Sequence, residues 1–471
     1  MSATEGRRRT TETQRHRGKK LHAVGVRSRS LRLCASVPLW LILLSLFGAG
    51  TAVASPLDAR IDAAVEAIEP KVIAWRRDIH QNPELGYQEM RTAGLVADHL
   101  TALGYEVRTG VGRTGVVAVL RGDKPGPVVA LRADMDALPV KEEVDIPFAS
   151  RVMATWRGQQ VPVMHACGHD AHVAILMGVA EVLASLRAEL PGTVKLLFQP
   201  AEEGSGDGSP SGATLMMRDG AMQNPKPDAI FGLHVTSGMT VGNISLRAAG
   251  LLASSDGLRI EIKGSQTHGA MPWGGVDPIV AAAQVIMALQ TIPSRHIDVT
   301  RSPVVVTIGS IHGGNRGNII PETVVMEGTI RAHDENIRSQ VHDKVREMTE
   351  AVARSAGAEA KVSIGRGYPV TYNDPPLTEW ANTVLRRAAG AERVHEARPV
   401  MGAEDFSLLA REVPGVFFFL GVTPADKRPG TTGMGGAAPN HSPRFFVDES
   451  GLRLGVRALT YLAIDYLGRA K

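Results

Sequence analysis

Within eight residues, His165-Ala166-Cys167-Gly168-His169-Asp170-Ala171-His172 gathers three imidazoles, a thiol and a carboxylate. Thiolate, imidazole and carboxylate are the ligand types of zinc and similar first-row divalent ions. Cys167 and His169 are two apart, so in an extended loop their side chains point the same way. A helix start capped by Asp170 would account for one histidine but not for the cluster. Three other segments set such groups just past an apolar run: Asp134 and Asp136 after Val128 to Leu131, Glu202 and Glu203 after Val194 to Phe198, and His234 after Ala229 to Leu233. Open α/β sheets bind ligands beyond the carboxyl ends of their strands, so these groups can converge. A divalent ion lowers the pKa of bound water toward ~7, and of the two adjacent glutamates one would hold the ion while the other takes the proton. His441, in Asn440-His441-Ser442-Pro443, reads by spacing alone as a surface-loop histidine.

The elements that must position these groups can be read from periodicity. Short apolar runs at 115–120, 128–131, 194–198, 229–233 and 416–420 alternate with helical stretches at 60–78, 91–103, 171–188, 377–389 and 449–467. That alternation predicts an α/β fold with a mostly parallel sheet and helices on both faces. Residues 250–368 follow another pattern: strand 258–263, helix 277–291, strands 303–309 and 323–331, helix 334–355 and strand 359–364. This βαββαβ order predicts a ferredoxin-like domain inserted between residues 55–249 and 369–471 of the larger one.

The chain has 471 residues and a formal charge of +4, but the basicity is local. Residues 1–54 hold ten Lys/Arg and two Asp/Glu, leaving 42 basic against 46 acidic residues in 55–471. A mildly acidic body argues against a nucleic-acid partner. The basic stretch, the apolar run Val37 to Phe47 and Ala52-Val53-Ala54 predict a signal peptide over 1–54, cleaved near Ala54-Ser55. The expectation is therefore a secreted or periplasmic protein, with membrane contact only through an uncleaved leader. Without Cys34 the mature chain would keep a single thiol, Cys167, which in an oxidising compartment must be buried or held by a metal.

Four separated motifs carry a resemblance. His165-Ala-Cys-Gly-His-Asp-Ala-His172, Arg132-Ala-Asp-Met-Asp-Ala-Leu-Pro139, Gln199-Pro-Ala-Glu-Glu203 and Met401-Gly-Ala-Glu-Asp-Phe406 resemble the hippurate hydrolase and indole-3-acetyl-amino-acid hydrolase group. That group belongs to the aminoacylase and carboxypeptidase G superfamily of metal-dependent amidohydrolases, and the likeness spans roughly residues 60–470. It implies a zinc-exopeptidase-like catalytic domain with two divalent metal ions (zinc or manganese, with cobalt or nickel as alternatives) and a lid domain that forms a homodimer. Carried over by motif, Cys167, His169, Glu203, His234 and His441 are the metal ligands, Glu202 is the general base, and Asp136 orients a ligand or the bridging water. From the lid, His268 in Gly264-Ser-Gln-Thr-His268 would reach a neighbouring protomer's site and stabilise the oxyanion. Asn318 and Arg331 would contact the substrate's carbonyl and carboxylate. Trp273 departs from the family, where many relatives carry histidine, and suggests a more aromatic wall near the substrate.

The expected activity is hydrolysis of N-acyl amino acids or related small amides, with Glu202 taking a proton from a metal-bridging water and returning it to the leaving amine. An exopeptidase of the same superfamily is the nearest rival. A catalytically silent binding protein would lack a ligand or the base, and none is missing.

Overall fold

The computed structural model describes residues 56–430 and 435–469. Eight strands, β1 (Glu106–Val111), β2 (Gly115–Arg121), β3 (Lys124–Asp134), β4 (Pro191–Gln199), β5 (Ala229–Thr240), β6 (Ile244–Leu246), β7 (Val394–Glu396) and β8 (Gly415–Thr423), form one sheet. Its order is β1-β2-β4-β3-β5-β8-β6-β7. The centre is parallel, β3 pairing with β4 and β5 and β5 with β8, whereas β1, β2 and the β8–β6 contact are antiparallel.

Successive residues of the central strands feed two apolar clusters. Val129, Leu131, Leu196, Phe198 and Phe231 belong to one face, and Ala130, Leu197 and Ile230 to the other. A strand buried on both sides has no polar alternation, which is why these strands read as plain apolar runs. Three helices, α1 (Pro56–Gln81), α2 (His169–Ser185) and α3 (Leu452–Leu467), pack on one another and on the first face. The short helices Gly212–Arg218 and Phe406–Glu412 cover the second. Residues 169–180 of α2 are buried on every side, as expected of a helix that is apolar all round.

The smaller sheet comprises Asp256–Lys263, Val304–Gly313, Thr323–Ala332 and Glu359–Arg366, all antiparallel, in the spatial order second, third, first, fourth. Helices Pro278–Leu289 and Glu335–Ser355 join it around a separate apolar cluster. Asp277 and Asp334 start these helices, each accepting from two backbone N–H groups. The strand Ala249–Leu252 pairs with Thr371–Asn373, so the two segments that enter and leave this region lie side by side.

The structure adds elements that periodicity did not suggest. β6 and β7 have three residues each, too few to show a period, and β1 is an exposed edge with one buried residue. β5 continues to Thr240, so His234 lies within a strand and not beyond its end. The helix of the histidine cluster starts at His169, two residues earlier than expected.

The secreted or periplasmic location is corrected. The leader that carried it, with the proposed cleavage near Ala54-Ser55, lies outside the described residues, and no helix among the described residues is long and apolar enough to cross a membrane. The argument from an oxidising compartment to a protected Cys167 falls with it.

Candidate metal centre

The cluster is built on the end of the parallel sheet. Cys167 precedes Gly168, whose backbone is left-handed (φ +95°) and which stands at the N-cap of α2. The convergence of Cys167 and His169 therefore comes from this turn and not from an extended loop. A Cβ on Gly168 would lie 2.3 Å from Val235 Cγ2. We expect Gly168→Ala to cost about 1–2 kcal/mol from the left-handed backbone alone, with the overlap added, read as a lower melting temperature. An unchanged melting temperature would refute this account of the turn.

Around the turn, donor atoms collect in overlapping groups. Those of Cys167, His169 and His234 lie within 4.8 Å of one another, as do those of Cys167, Glu203 and His441, and those of His169, Glu202 and Glu203. Cys167 Sγ sits 3.3 Å from His234 Nε2 and 3.2 Å from His441 Nε2, and His441 Nε2 is 2.8 Å from Glu203 Oε1. The Nδ1 atoms of His169 and His234 are spoken for. His169 Nδ1 donates to the Asp136 carbonyl at 2.8 Å, and His234 Nδ1 donates to the Val235 carbonyl at 2.7 Å. His169 Nε2 is buried with no hydrogen-bond partner. Such back-side bonding fixes the tautomer and leaves Nε2 free to bind a cation.

Electrostatics agree with a cation. Burial, with Glu203 beside it, raises the Cys167 thiol, and a neighbouring cation is what would hold it as thiolate. Burial and His172 push His234 well below its usual range, keeping it neutral. Hydrogen bonds to Cys167 and Glu203 push His441 up to about 10, its Nε2 lying between a sulfur and a carboxylate. Two donor groups sharing one sulfur, with a buried, unpartnered imidazole nitrogen among them, fit a pair of divalent ions.

Asp136 is central. Its carboxylate accepts from the backbone N–H of Glu202 (3.1 Å) and Glu203 (3.0 Å) and lies 3.2 Å from His169 Nδ1. Asp134, the other aspartate of the same motif, contacts His172 and lies 3.7 Å from His169 Nε2. Both ring nitrogens of His172 are used, by Asp134 and the Val235 N–H, so it has none left for a metal. Asn440 donates to the carbonyls of Cys167 and Val235 and so fixes the approach of left-handed His441 (φ +70°). His441 joins the cluster although its spacing gave no sign of it.

The sequence reading gave no role to the layer beneath. Arg132 is fully buried and donates to Asp134 (2.6 Å), Glu404 (2.9 Å), Asp405 (3.0 Å) and Gln199 (3.0 Å). Carboxylate oxygens of Glu404 and Asp405 lie within 4.8 Å of one from Glu202. Burial, with Glu404, Glu203 and Asp405 alongside, pushes the Glu202 carboxyl well above its ordinary range. An arginine closing an otherwise apolar strand was the signal available for this layer.

The cluster opens into a cavity of about 520 Å³ whose lining includes Cys167, Glu202, Glu203, His234, His441, Tyr368 and Arg331. Arg331 makes no ion pair with any described residue. His268 and Asn318 do not line it. They lie exposed and together beside the smaller sheet, where Thr267–His268 pairs with Ile319–Ile320 and the Gly269 N–H donates to the Asn318 carbonyl. Trp273 is 81% exposed and also absent from the cavity, so it forms no aromatic wall there within one chain.

The chain matches the model of "Peptidase family M20/M25/M40" over residues 130–465. It is 42% identical to Thermostable carboxypeptidase 2 of Saccharolobus solfataricus over 85% of this chain and 97% of that protein. It is 38% identical to IAA-amino acid hydrolase ILR1-like 2 of Arabidopsis thaliana, over 85% of this chain and 87% of that one. Among solved structures, the Bacillus subtilis YXEP protein, described as a dinuclear metal binding peptidase from the M20 family, superposes with a TM-score of 0.71. Its sequence is 33% identical, covering 86% of this chain and 99% of that one. A donor cluster suited to two ions, on a sheet shared with a dinuclear relative, places this chain in the M20/M25/M40 peptidase family as a metal-dependent hydrolase of amide bonds.

Proposed function

We propose that the protein hydrolyses N-acyl amino acids or closely related small amides bearing a free carboxylate. The observation that carries this is the placing of Arg331, a half-buried cation without an ion pair, in the same cavity as the donor cluster and Glu202. A guanidinium there suits the carboxylate of an amino-acid product. Cys167, His169, Glu203, His234 and His441 would hold two divalent ions, zinc or manganese first and cobalt or nickel next. When bound, the ions acidify water and polarise the amide carbonyl. Glu202, anchored through its N–H to Asp136 and its carbonyl to Tyr368 Oη, accepts the water's proton and delivers it to the leaving nitrogen. Asp136 orients His169 and the Glu202–Glu203 turn.

His268 and Asn318 stand away from this chain's cavity, so we assign them to the cavity of a second copy, His268 to the oxyanion and Asn318 to the carbonyl. The same domain exposes Met271, Trp273, Ile279, Val280 and Met287, apolar surface of the kind a homodimer covers.

A carboxypeptidase reading has support in the similarity to Thermostable carboxypeptidase 2, and Arg331 would serve a peptide's terminal carboxylate equally well. The test is a panel of N-acyl amino acids and free-amine dipeptides offered to the full chain, with metal content measured on the same sample. Turnover of the acyl substrates, lost on chelation and restored by Zn²⁺ or Mn²⁺, is expected. Dipeptide turnover alone would transfer the assignment to an exopeptidase, and failure to bind metal after reconstitution would sink the ligand set.

A further inference from the structure

Behind the wall that carries Arg331 lies a second cavity, of about 530 Å³. The wall separates it from the metal-centre cavity, and its segments contribute to both sides. Arg331, Tyr368 and Val400 line the first cavity; His333, Val370 and Pro399 line the second. Backbone bonds hold the wall together: Val400 N–H donates to the Leu251 carbonyl at 2.9 Å, and Ala253 N–H to the Val400 carbonyl at 3.0 Å. These are also the segments that join the two sheets.

The chemistry of the second cavity is cationic. Arg247, Arg301 and Arg411 line it together with His333. His333 is 9% exposed, and neither ring nitrogen has a partner in hydrogen-bond geometry, the Gly250 and Val400 carbonyls being its polar neighbours. Arg411 makes no ion pair with any described residue, Arg301 comes within 3.8 Å of Asp334, and Arg247 lies 3.5 Å from Glu396, which stands outside the lining. The two acids in the lining are committed elsewhere. Asp334 caps the helix Glu335–Ser355, and Glu335 pairs with Arg338 and accepts from the Val370 N–H. Arg247 and Arg301 each have one loosely held carboxylate within 4 Å, and Arg411 is the cation of the lining that has none, so an added negative charge would meet an unpaired guanidinium.

We propose that this cavity binds a small organic monoanion, a carboxylate on an apolar body, and that its occupancy stiffens the wall presenting Arg331 and Tyr368 to the metal centre. The guanidinium groups would take the carboxylate, His333 would supply a hydrogen bond from within, and Pro303, Pro369 and Val370 would meet the apolar part. Anything bound here touches the same segments as the substrate, so the two sites are coupled through one shared element.

The experiment uses the full-length, metal-loaded protein and 4-fluorobenzoate as probe, with binding followed by fluorine NMR and wall motion by hydrogen exchange. Saturable binding is expected, weakened about tenfold or more in Arg301→Met/Arg411→Met and retained in Arg331→Met. Exchange in segments 249–252 and 368–372 should slow on binding in the wild type and not in the double variant. Absence of saturable binding, or binding that survives the double variant and vanishes in Arg331→Met, would overturn the site. Tighter binding of inorganic phosphate would overturn the ligand class, and binding without a change in exchange would overturn the coupling. Binding is read directly, so failure here would leave the amidohydrolase reading intact.

Discussion

Glu202→Gln is expected to lower turnover of N-acyl amino acids by about 10²–10⁴-fold while bound metal stays unchanged. The substitution preserves shape and removes only the group's capacity to carry a proton. The backbone of Glu202 is fixed independently of its side chain, by Asp136 at the N–H and Tyr368 at the carbonyl. The donor atoms of Cys167, His234 and His441 are likewise untouched. Turnover within threefold of wild type, measured on a sample of verified metal content, would remove Glu202 from the proton-transfer role. A parallel loss of metal would instead make it a ligand, an outcome the nearness of the His169 and Glu203 donors makes worth checking.

The second large effect concerns stability. Arg132→Met is expected to cost about 3–5 kcal/mol, because it strips the cation from a buried group of carboxylates. Arg132 is the fully buried partner of Asp134, Glu404 and Asp405, and burial with Glu404 nearby already pushes Asp405 up to about 7. Without the guanidinium these acids must take up protons or repel one another. Arg132→Lys should recover only part of the loss, since one ammonium cannot reproduce the forked set of bonds. Urea unfolding of the metal-free proteins isolates this effect from metal binding. A difference under 1 kcal/mol would show that the carboxylates are neutralised some other way.

The parallel core and the βαββαβ order of residues 256–366 were legible because their periods are long and clean. Val129 and Leu131 serve one apolar cluster and Ala130 the other, so the strand announces burial on both faces. Cys167, His169, Glu203 and His234 were legible as metal-compatible residue types beside apolar runs, and the structure brings their donor atoms into overlapping groups. Other features depend on contacts that no local pattern records. His441 reaches Cys167 from 274 residues away, and only the Asn440 bonds show why. Arg132 gave a visible sign, a charge at the end of an apolar strand, but its partners Glu404 and Asp405 are supplied by a distant loop. The exposed placing of Trp273, away from the cavity, is a tertiary fact that no motif could supply.

The 274-residue separation of Cys167 and His441 also bears on how the centre comes into being. A chain still being synthesised holds Cys167, His169, Glu203 and His234 long before His441 exists, and α3, which packs against α1 and α2, comes later still. The complete donor set is thus a property of the finished polypeptide. Any ion captured earlier would meet a partial and more open site. Once closed, an ion bridging both ends would act as a reversible staple, and shutting a loop of this length removes roughly 5 kcal/mol of freedom from the unfolded chain in the simplest entropic picture. Metal supply would then govern not only how fast the protein works but how long each copy survives proteolysis.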